Sequence, residues 1–431
     1  MPYGVWVDRY PVGRRAAYYP LRLFDGPLGR RDVEVRAFLK AEKLPNQSFV
    51  RPRDGVVRDY QQHGDFDPRV ISERSKEYQA IFGRYCVAAS DALRVQWDLT
   101  SSVTYACGMH MGQIGEWLHQ CESDFAAFHG DCGYLICDAS RFDGSLSVKA
   151  LEVQFAAMRR IIGHDCPPFD VDLVTNGVTR LGLRYRVSGT RKSGNADTTV
   201  GNSILMGLLH MRVKEEVHSY YRAIVMGDDT LVCVPFDVLA YAAWVVKEIG
   251  ARLGFSMKVE CATSWRYARF CSCRFFMLPR GGWRPAGLPG RVLAKFGFRL
   301  LGEESVTNQD WLRSCAHAMA CEFLHVPFMR SVALALCRYC FGVVTYEEAL
   351  AFANSHSYRE FGSNPRRLYT LGVRNAIYQG DDCGAMAEFC LTYDVSPALV
   401  PDEECRVLAM KHPPFDLRSV FTDRLIEVDL P

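Results

Sequence analysis

Two carboxylates side by side at the tip of an apolar hairpin are the residues of this chain best placed to do chemistry. In Arg222-Ala-Ile-Val-Met-Gly-Asp-Asp-Thr-Leu-Val-Cys-Val234, the β-favouring runs Ala223–Met226 and Leu231–Val234 flank Gly-Asp-Asp. That pattern predicts a β-hairpin with a glycine-containing turn. Asp228 and Asp229 repel each other, so holding both at the tip of two apolar strands is costly unless a cation sits there. Carboxylate oxygen suits Mg²⁺. The plainer alternative is a solvated turn, since Gly-Asp is common in turns. The chain supplies its own comparison: Gly380-Asp381-Asp382 repeats the tripeptide between Tyr378-Gln379 and Cys383-Gly384, with no apolar strand pair around it. The strand-turn-strand is therefore the motif, and the first copy alone has it.

A second carboxylate pair precedes it. Tyr134–Cys137 is a short buried strand running into Asp138-Ala-Ser-Arg-Phe-Asp143. Alone, two aspartates at this spacing are as easily surface residues. A strand ending in Asp138, however, can lie beside the hairpin ending in Asp228-Asp229, so that three carboxylates converge. Such a cluster needs cations, and two Mg²⁺ about 4 Å apart serve in-line phosphoryl transfer. Between the pairs lies Ser188-Gly-Thr-Arg-Lys-Ser-Gly194, a Gly- and Ser-rich loop with two cations that opens a helix. Helix N-termini bind anions, although an ordinary capped helix has the same look. Thr198 and Asn202, four residues apart on that helix, share a face. They can read a sugar hydroxyl or make buried helix–helix hydrogen bonds.

The elements that must position these groups are legible from period and punctuation. Val35-Arg-Ala-Phe-Leu-Lys-Ala-Glu-Lys43 fits a helix face or a strand equally well. Asp91 to Phe128 reads as mostly helical with a break at Gly108–Gly115. A helix runs from Ser145 to Ile162, with Val148, Leu151, Phe155, Met158 and Ile162 at helical spacing. Leu181–Val187 alternates like a strand. A long helix covers about Asp197 to Tyr220, another Phe236 to Leu253, and Ser256–Glu260 is a strand. Ala268–Leu278 and Trp283 suggest a last hairpin, and residues from about 285 onward read as helical. Strands alternating with helices around a carboxylate hairpin indicate an α+β core with helical periphery.

At 431 residues the chain has room for two or three subdomains. A hydrophobic content of 48% and charged content of 23% are those of a globular protein. Net charge is only +2, so any polyanion site is a local patch. No apolar run reaches the ~20 residues that span a bilayer; Ser331–Val344 comes nearest and Arg338 breaks it. The first residues lack the layout of a signal peptide. The 17 cysteines are odd in number and lie in apolar segments without framework spacing, so they read as reduced, buried thiols. Cys337-Arg-Tyr-Cys340 and Cys271-Ser-Cys273 have no partner pair at zinc-like spacing.

The order Asp138-x₄-Asp143, Ser193-Gly194-x₃-Thr198-x₃-Asn202, Gly227-Asp228-Asp229 resembles motifs A, B and C of viral RNA-dependent RNA polymerases, most nearly the tombusvirus-like polymerases of positive-strand RNA viruses. Gly254-Phe-Ser-Met-Lys-Val-Glu260 is similar to motif D, Phe270-Cys-Ser-Cys273 to motif E, and Val35–Lys43 with Pro68-Arg-Val-Ile71 to the basic finger motif F. The resemblance covers about residues 30 to 285. Lys192 stands where the family usually has an apolar residue, and Asn195-Ala196-Asp197 replaces its usual Asp-Met-Asn.

The resemblance implies a right hand with an antiparallel palm sheet. Its fingers and finger-to-palm helices would occupy residues 1–130, its palm 131–284 with a fingers insertion at about 150–187, and a mainly helical thumb 285–431. It implies template-directed RNA synthesis from ribonucleoside triphosphates in the replication of a positive-strand RNA genome. Asp138 and Asp228 would bind two Mg²⁺, for which Mn²⁺ can substitute, with Asp229 assisting. Asp143 and Asn202 would recognise the ribose 2′-hydroxyl, with Ser193, Gly194 and Thr198 shaping that pocket. Lys40 and Arg69 would hold the incoming triphosphate, and Lys258 is the candidate general acid for the departing pyrophosphate. RNA template and product, nucleotides, and viral or host replication partners are the implied ligands. The implied location is the host cytoplasm, at membrane-associated replication complexes reached through a partner. A reverse transcriptase shares the palm, but Asp143 with Asn202 fits recognition of a 2′-hydroxyl rather than its exclusion. A non-catalytic RNA-binding replication protein is the rival of another class, and every acidic palm position is nonetheless present.

Overall fold

The expected hairpin lies in the middle of a sheet. The computed structural model describes residues 1–10, 12–18, 33–40, 69–163, 170–278, 281–296, 307–343, 345, 347–349, 383–414 and 417–430. The second Gly-Asp-Asp, Pro68 and the end of the Val35–Lys43 run lie outside these residues. In chain order the described strands are β1 (Val35–Leu39), β2 (Val70–Glu73), β3 (Val103–Tyr105), β4 (Cys132–Ala139), β5 (Val174–Thr179) and β6 (Arg184–Ser188). There follow β7 (Arg222–Met226), β8 (Asp229–Pro235), β9 (Met257–Ala262), β10 (Arg269–Phe270), β11 (Cys273–Met277) and β12 (Trp283–Gly287). They form three sheets, of orders β3-β7-β8-β4-β9, β2-β1-β5-β6 and β10-β11-β12. With the helices around them this is an α+β architecture.

The central sheet explains why β7 and β8 are near-continuous apolar runs: helices cover both of its faces. On one face Leu135, Ala223, Val225, Val232 and Val234 pack against the helices Thr198–Val217 and Leu239–Arg252. On the other, Ile224, Leu231, Cys233 and Tyr134 meet Ile114, Trp117 and Leu118 of the helix Met111–Asp124. Successive residues of each strand thus serve opposite cores, as the pleat requires. Trp117 is fully buried, and Trp117→Ala would cost roughly 3–5 kcal/mol.

Several boundaries depart from expectation. The stretch Asp91–Phe128 is not one broken helix: a helix spans Lys76–Gln96, β3 follows, and Met111–Asp124 is helical again. β3 pairs in parallel with β7, so the central sheet is not wholly antiparallel. Three residues are too short for a period, and β3 owes its existence to pairing with a strand far along the chain. Gly115 lies inside a helix rather than at a break, because its missing side chain lets the Trp283 carbonyl of β12 approach; a Cβ there would meet that oxygen at 1.8 Å. Val35–Leu39, open between helix and strand, is a strand paired with β2 and β5. The last hairpin is a three-stranded sheet reaching Gly287, and helices then cover Asn308–Phe323, Met329–Phe341, Cys383–Tyr393, Leu399–Leu408 and Val420–Asp429. No described helix is long and apolar enough to cross a membrane. No disulfide joins the described cysteines, which are mostly buried, but Cys261 and Cys405 are exposed.

Candidate active site

The turn between β7 and β8 is two residues long, Gly227-Asp228, with Met226 paired to Asp229. Gly227 adopts φ +69° while Asp228 does not need the left-handed region, the arrangement that two-residue hairpin turns with glycine first provide. β4 lies beside β8, and Cys137 faces Thr230. The strand end carrying Asp138 is therefore next to the hairpin tip, as the sequence suggests. On its other side β4 pairs with β9, where Asp138 faces Lys258 directly. Both side chains are exposed, and directly opposed residues have Cβ atoms about 5 Å apart.

Electrostatics give the cluster its character. Burial pushes the Asp228 carboxyl up to about 6, and the charges of Asp229, Asp143 and Asp138 add to the rise. Asp229 is raised by burial and then by Asp138, against a lowering hydrogen bond from the Cys271 thiol. Four carboxylates thus feel one another across the tip. Among the described residues no three His, Cys, Asp or Glu side chains close into a ligand cage; the carboxylates form an open, mutually repelling cluster. Its donor set is hard oxygen throughout, and its repulsion is what a divalent cation would relieve, so these residues fit Mg²⁺.

Asp143 sits on the short helix Phe142–Ser145, half-buried, and its Oδ1 accepts from Asn202 Nδ2 at 2.9 Å. Asn202 is 3% exposed, and its own Oδ1 is buried with no hydrogen-bond partner. An orphan acceptor of this kind is costly. Thr198 behaves differently from Asn202 despite sharing its face. Its hydroxyl, with one proton to donate, lies within reach of the carbonyls of Lys192 (3.1 Å), Ser193 (3.2 Å) and Asn195 (2.9 Å), so it secures the loop. The loop also ties to β2: Gly194 N donates to Ser72 O at 2.8 Å and Ser72 N to Ser193 Oγ at 3.3 Å.

Arg191 and Lys192 do not present cations to an anion at the helix N-terminus, as their place in the loop suggests. Both are buried: Arg191 pairs with Asp197, and Lys192 reaches the Asp172 main chain. A buried cation needs an internal partner, and these found theirs inside. Lys40 and Arg69 are exposed at one end of the β1–β2 ladder, with Lys40 N donating to Arg69 O at 2.8 Å.

Two further residues belong to the site. Ser203, wholly buried and next to Asn202, accepts the Gly227 N–H on Oγ at 2.7 Å, tying the hairpin tip to the Thr198–Val217 helix. Cys271 lies against Asp229 from the β10–β11 turn, where Cys271 and Ser272 both have φ near +55°. Ser203 has no signal in sequence beyond standing next to Asn202, and Cys271, though inside the Phe270–Cys273 motif, shows no sign there of its contact with Asp229, because each meets a partner from a distant segment.

Residues 21–341 match the family described as viral RNA dependent RNA polymerase. The chain is similar to the RNA-directed RNA polymerase of Pothos latent virus, 29% identical over 264 residues that cover 59% of this chain and 33% of the relative. That of Groundnut rosette virus is 31% identical over 242 residues, covering 54% and 26%. That of Turnip crinkle virus is 29% identical over 212 residues, covering 46% and 25%. The matched stretch spans a third or less of the length of these curated relatives.

Proposed function

Because the chain belongs to the viral RNA-dependent RNA polymerase family, we propose that it copies an RNA template into RNA from ribonucleoside triphosphates. The observation that carries this reading is the convergence of Asp138, Asp143, Asp228 and Asp229 beside Asn202 and its orphan acceptor. Asp138 and Asp228, helped by Asp229, would hold two divalent ions, Mg²⁺ with Mn²⁺ as a substitute, which when bound activate a 3′-hydroxyl and stabilise charge on the transferred phosphate. Asn202 Oδ1 accepts the ribose 2′-hydroxyl, and Asp143 is held for the same sugar by Asn202 Nδ2. Ser193, Gly194 and Thr198 keep the loop in register with β2. Lys258, facing Asp138, donates a proton toward the leaving pyrophosphate. Lys40 and Arg69 hold the triphosphate by charge.

The same reading divides the chain as a right hand: fingers 1–130, palm 131–284 with a fingers insertion at about 150–187, and thumb 285–431. In its support, β1 and β2 from the first segment share a sheet with β5 and β6 from the insertion region. A separate apolar core gathers Phe276, Met319, Phe323, Leu334, Phe389 and Phe421. RNA, nucleotides and replication partners are the proposed ligands, with work at host cytoplasmic membranes through a partner. The test is incorporation of labelled ribonucleotide on a defined RNA with Mg²⁺; no incorporation, with RNA binding intact, would favour a non-catalytic RNA-binding role.

A further inference from the structure

Beneath the Ser193–Gly194 loop lies a set of buried charges that the proposed chemistry does not use. Arg74, Arg191 and Lys192 are cations and Asp172 and Asp197 carboxylates, each at most 6% exposed. Among the described residues of this set, cations outnumber carboxylates three to two. Asp172 Oδ1 accepts from Arg74 Nε at 2.8 Å and from Asn195 Nδ2 at 3.3 Å, and Tyr78 donates its hydroxyl to Oδ2. Asp197 is engaged by Arg191 and by Gln154 Nε2 at 3.2 Å. Lys192 Nζ stands 3.8 Å from the Asp172 carboxylate and instead donates to two carbonyls, that of Asp172 and, at 3.1 Å, that of Thr190.

Thr190 is the strained point. It holds φ +61°, a conformation β-branched residues avoid and keep only where their neighbours over-determine it. From this turn, Thr190 N donates to Leu146 O and Arg191 N to Asp143 O, both at 2.7 Å. The Lys192 ammonium is therefore linked by contiguous bonds through Thr190 and Arg191 to the main chain of Asp143, whose carboxylate meets Asn202.

We propose that Lys192 is a positioning residue for the ribose site: its buried ammonium ties Thr190 to Asp172, holds the left-handed turn that supports Asp143, and makes nucleotide use depend on its own charge. This rests on the polymerase reading. Of the three cations, Lys192 alone can lose its proton, since arginine stays charged. Burial lowers its pKa to about 8; Asp172 and Asp197 oppose the fall, and Arg74 and Arg191 add to it. Tyr78, which donates its hydroxyl to Asp172, is raised well above its ordinary value and stays neutral there.

The test compares wild type with Lys192→Arg, a cation at every pH, and Lys192→Met, never charged. kcat/KM for one ribonucleotide is measured at pH 7 and pH 9, across which the protonated fraction of such a lysine falls about tenfold. The ratio of wild type to Lys192→Arg should fall about tenfold, with Lys192→Met low at both. In wild type alone, the Thr190 and Arg191 amides should gain about tenfold more hydrogen exchange over this interval than amides inside the Thr198–Val217 helix. A constant ratio, or loop amides that keep step with the helix, overturns the proposal. A wild type that incorporates nothing overturns the polymerase reading instead, and the exchange measurement then decides this one.

Discussion

Replacing Asn202 by alanine should narrow the preference for ribose over deoxyribose. Asn202 is buried, gives one hydrogen bond to Asp143 at 2.9 Å and keeps Oδ1 unpaired. A 2′-hydroxyl can donate to that oxygen, whereas a deoxyribose leaves it orphaned. An unpaired buried polar group costs about 1–3 kcal/mol, which is about 5- to 150-fold in kcat/KM. Asn202→Ala removes the acceptor and frees Asp143 without touching Asp138, Asp228 or Asp229. The ribonucleotide should lose about 5- to 150-fold and its deoxy analogue much less. Asp143→Ala should narrow the preference too, with a larger loss of rate because its charge is felt at Asp228. The assay is kcat/KM for one ribonucleotide and its deoxy analogue in wild type and both variants. Equal proportional loss of the two substrates would refute ribose reading by these residues.

Other perturbations test the surroundings. The folded-state pKa of Asp228 is about 6, above the ordinary 3.8, so between those values the native state binds more protons than the unfolded state and stability falls as pH rises. In metal-free protein Asp228→Asn should therefore raise Tm above pH 6 by roughly 2 °C, for ~1 kcal/mol after allowing for solvent contact, and change little at pH 4; equal shifts at both pH values contradict the repulsion. Ser203→Ala strips the Gly227 N–H of its acceptor, so stability should drop by about 1–3 kcal/mol and half-maximal incorporation should need more Mg²⁺; an unchanged Mg²⁺ titration would limit Ser203 to packing. Asp381→Asn with Asp382→Asn, in the copy with polar flanks, should leave turnover almost unchanged, within about 0.5 kcal/mol; an inactive but folded variant would show that copy to be the working one.

What the sequence made legible was whatever repeats locally. The central hairpin announces itself through apolar flanks around Gly-Asp-Asp, and the helix expected over Ser145–Ile162 through its apolar spacing, although its start at Val148, capped by Ser147, is seen in the structure alone. The order of Asp138, Asp143, Asn202 and Asp228 could be read because each lies within a short motif. What escaped depends on distant partners. β3 is three residues long and exists through its pairing with β7. Arg191 and Lys192 read as cations of an anion-binding loop until Asp197 and Asp172 close on them. Ser203 acquires its role from a backbone N–H 24 residues later, and Cys271 from Asp229 across the β10–β11 turn.

The proposed function has the converging aspartates hold the metals of RNA synthesis. It is tested most directly by incorporation of labelled ribonucleotide on a defined RNA template with Mg²⁺, in wild type, Asp138→Ala and Asp228→Ala, alongside RNA binding by the same three proteins. Wild type should extend RNA, and both variants should lose synthesis while still binding RNA, which rests on separate basic groups. Either variant retaining more than a few per cent of wild-type synthesis would contradict the assignment.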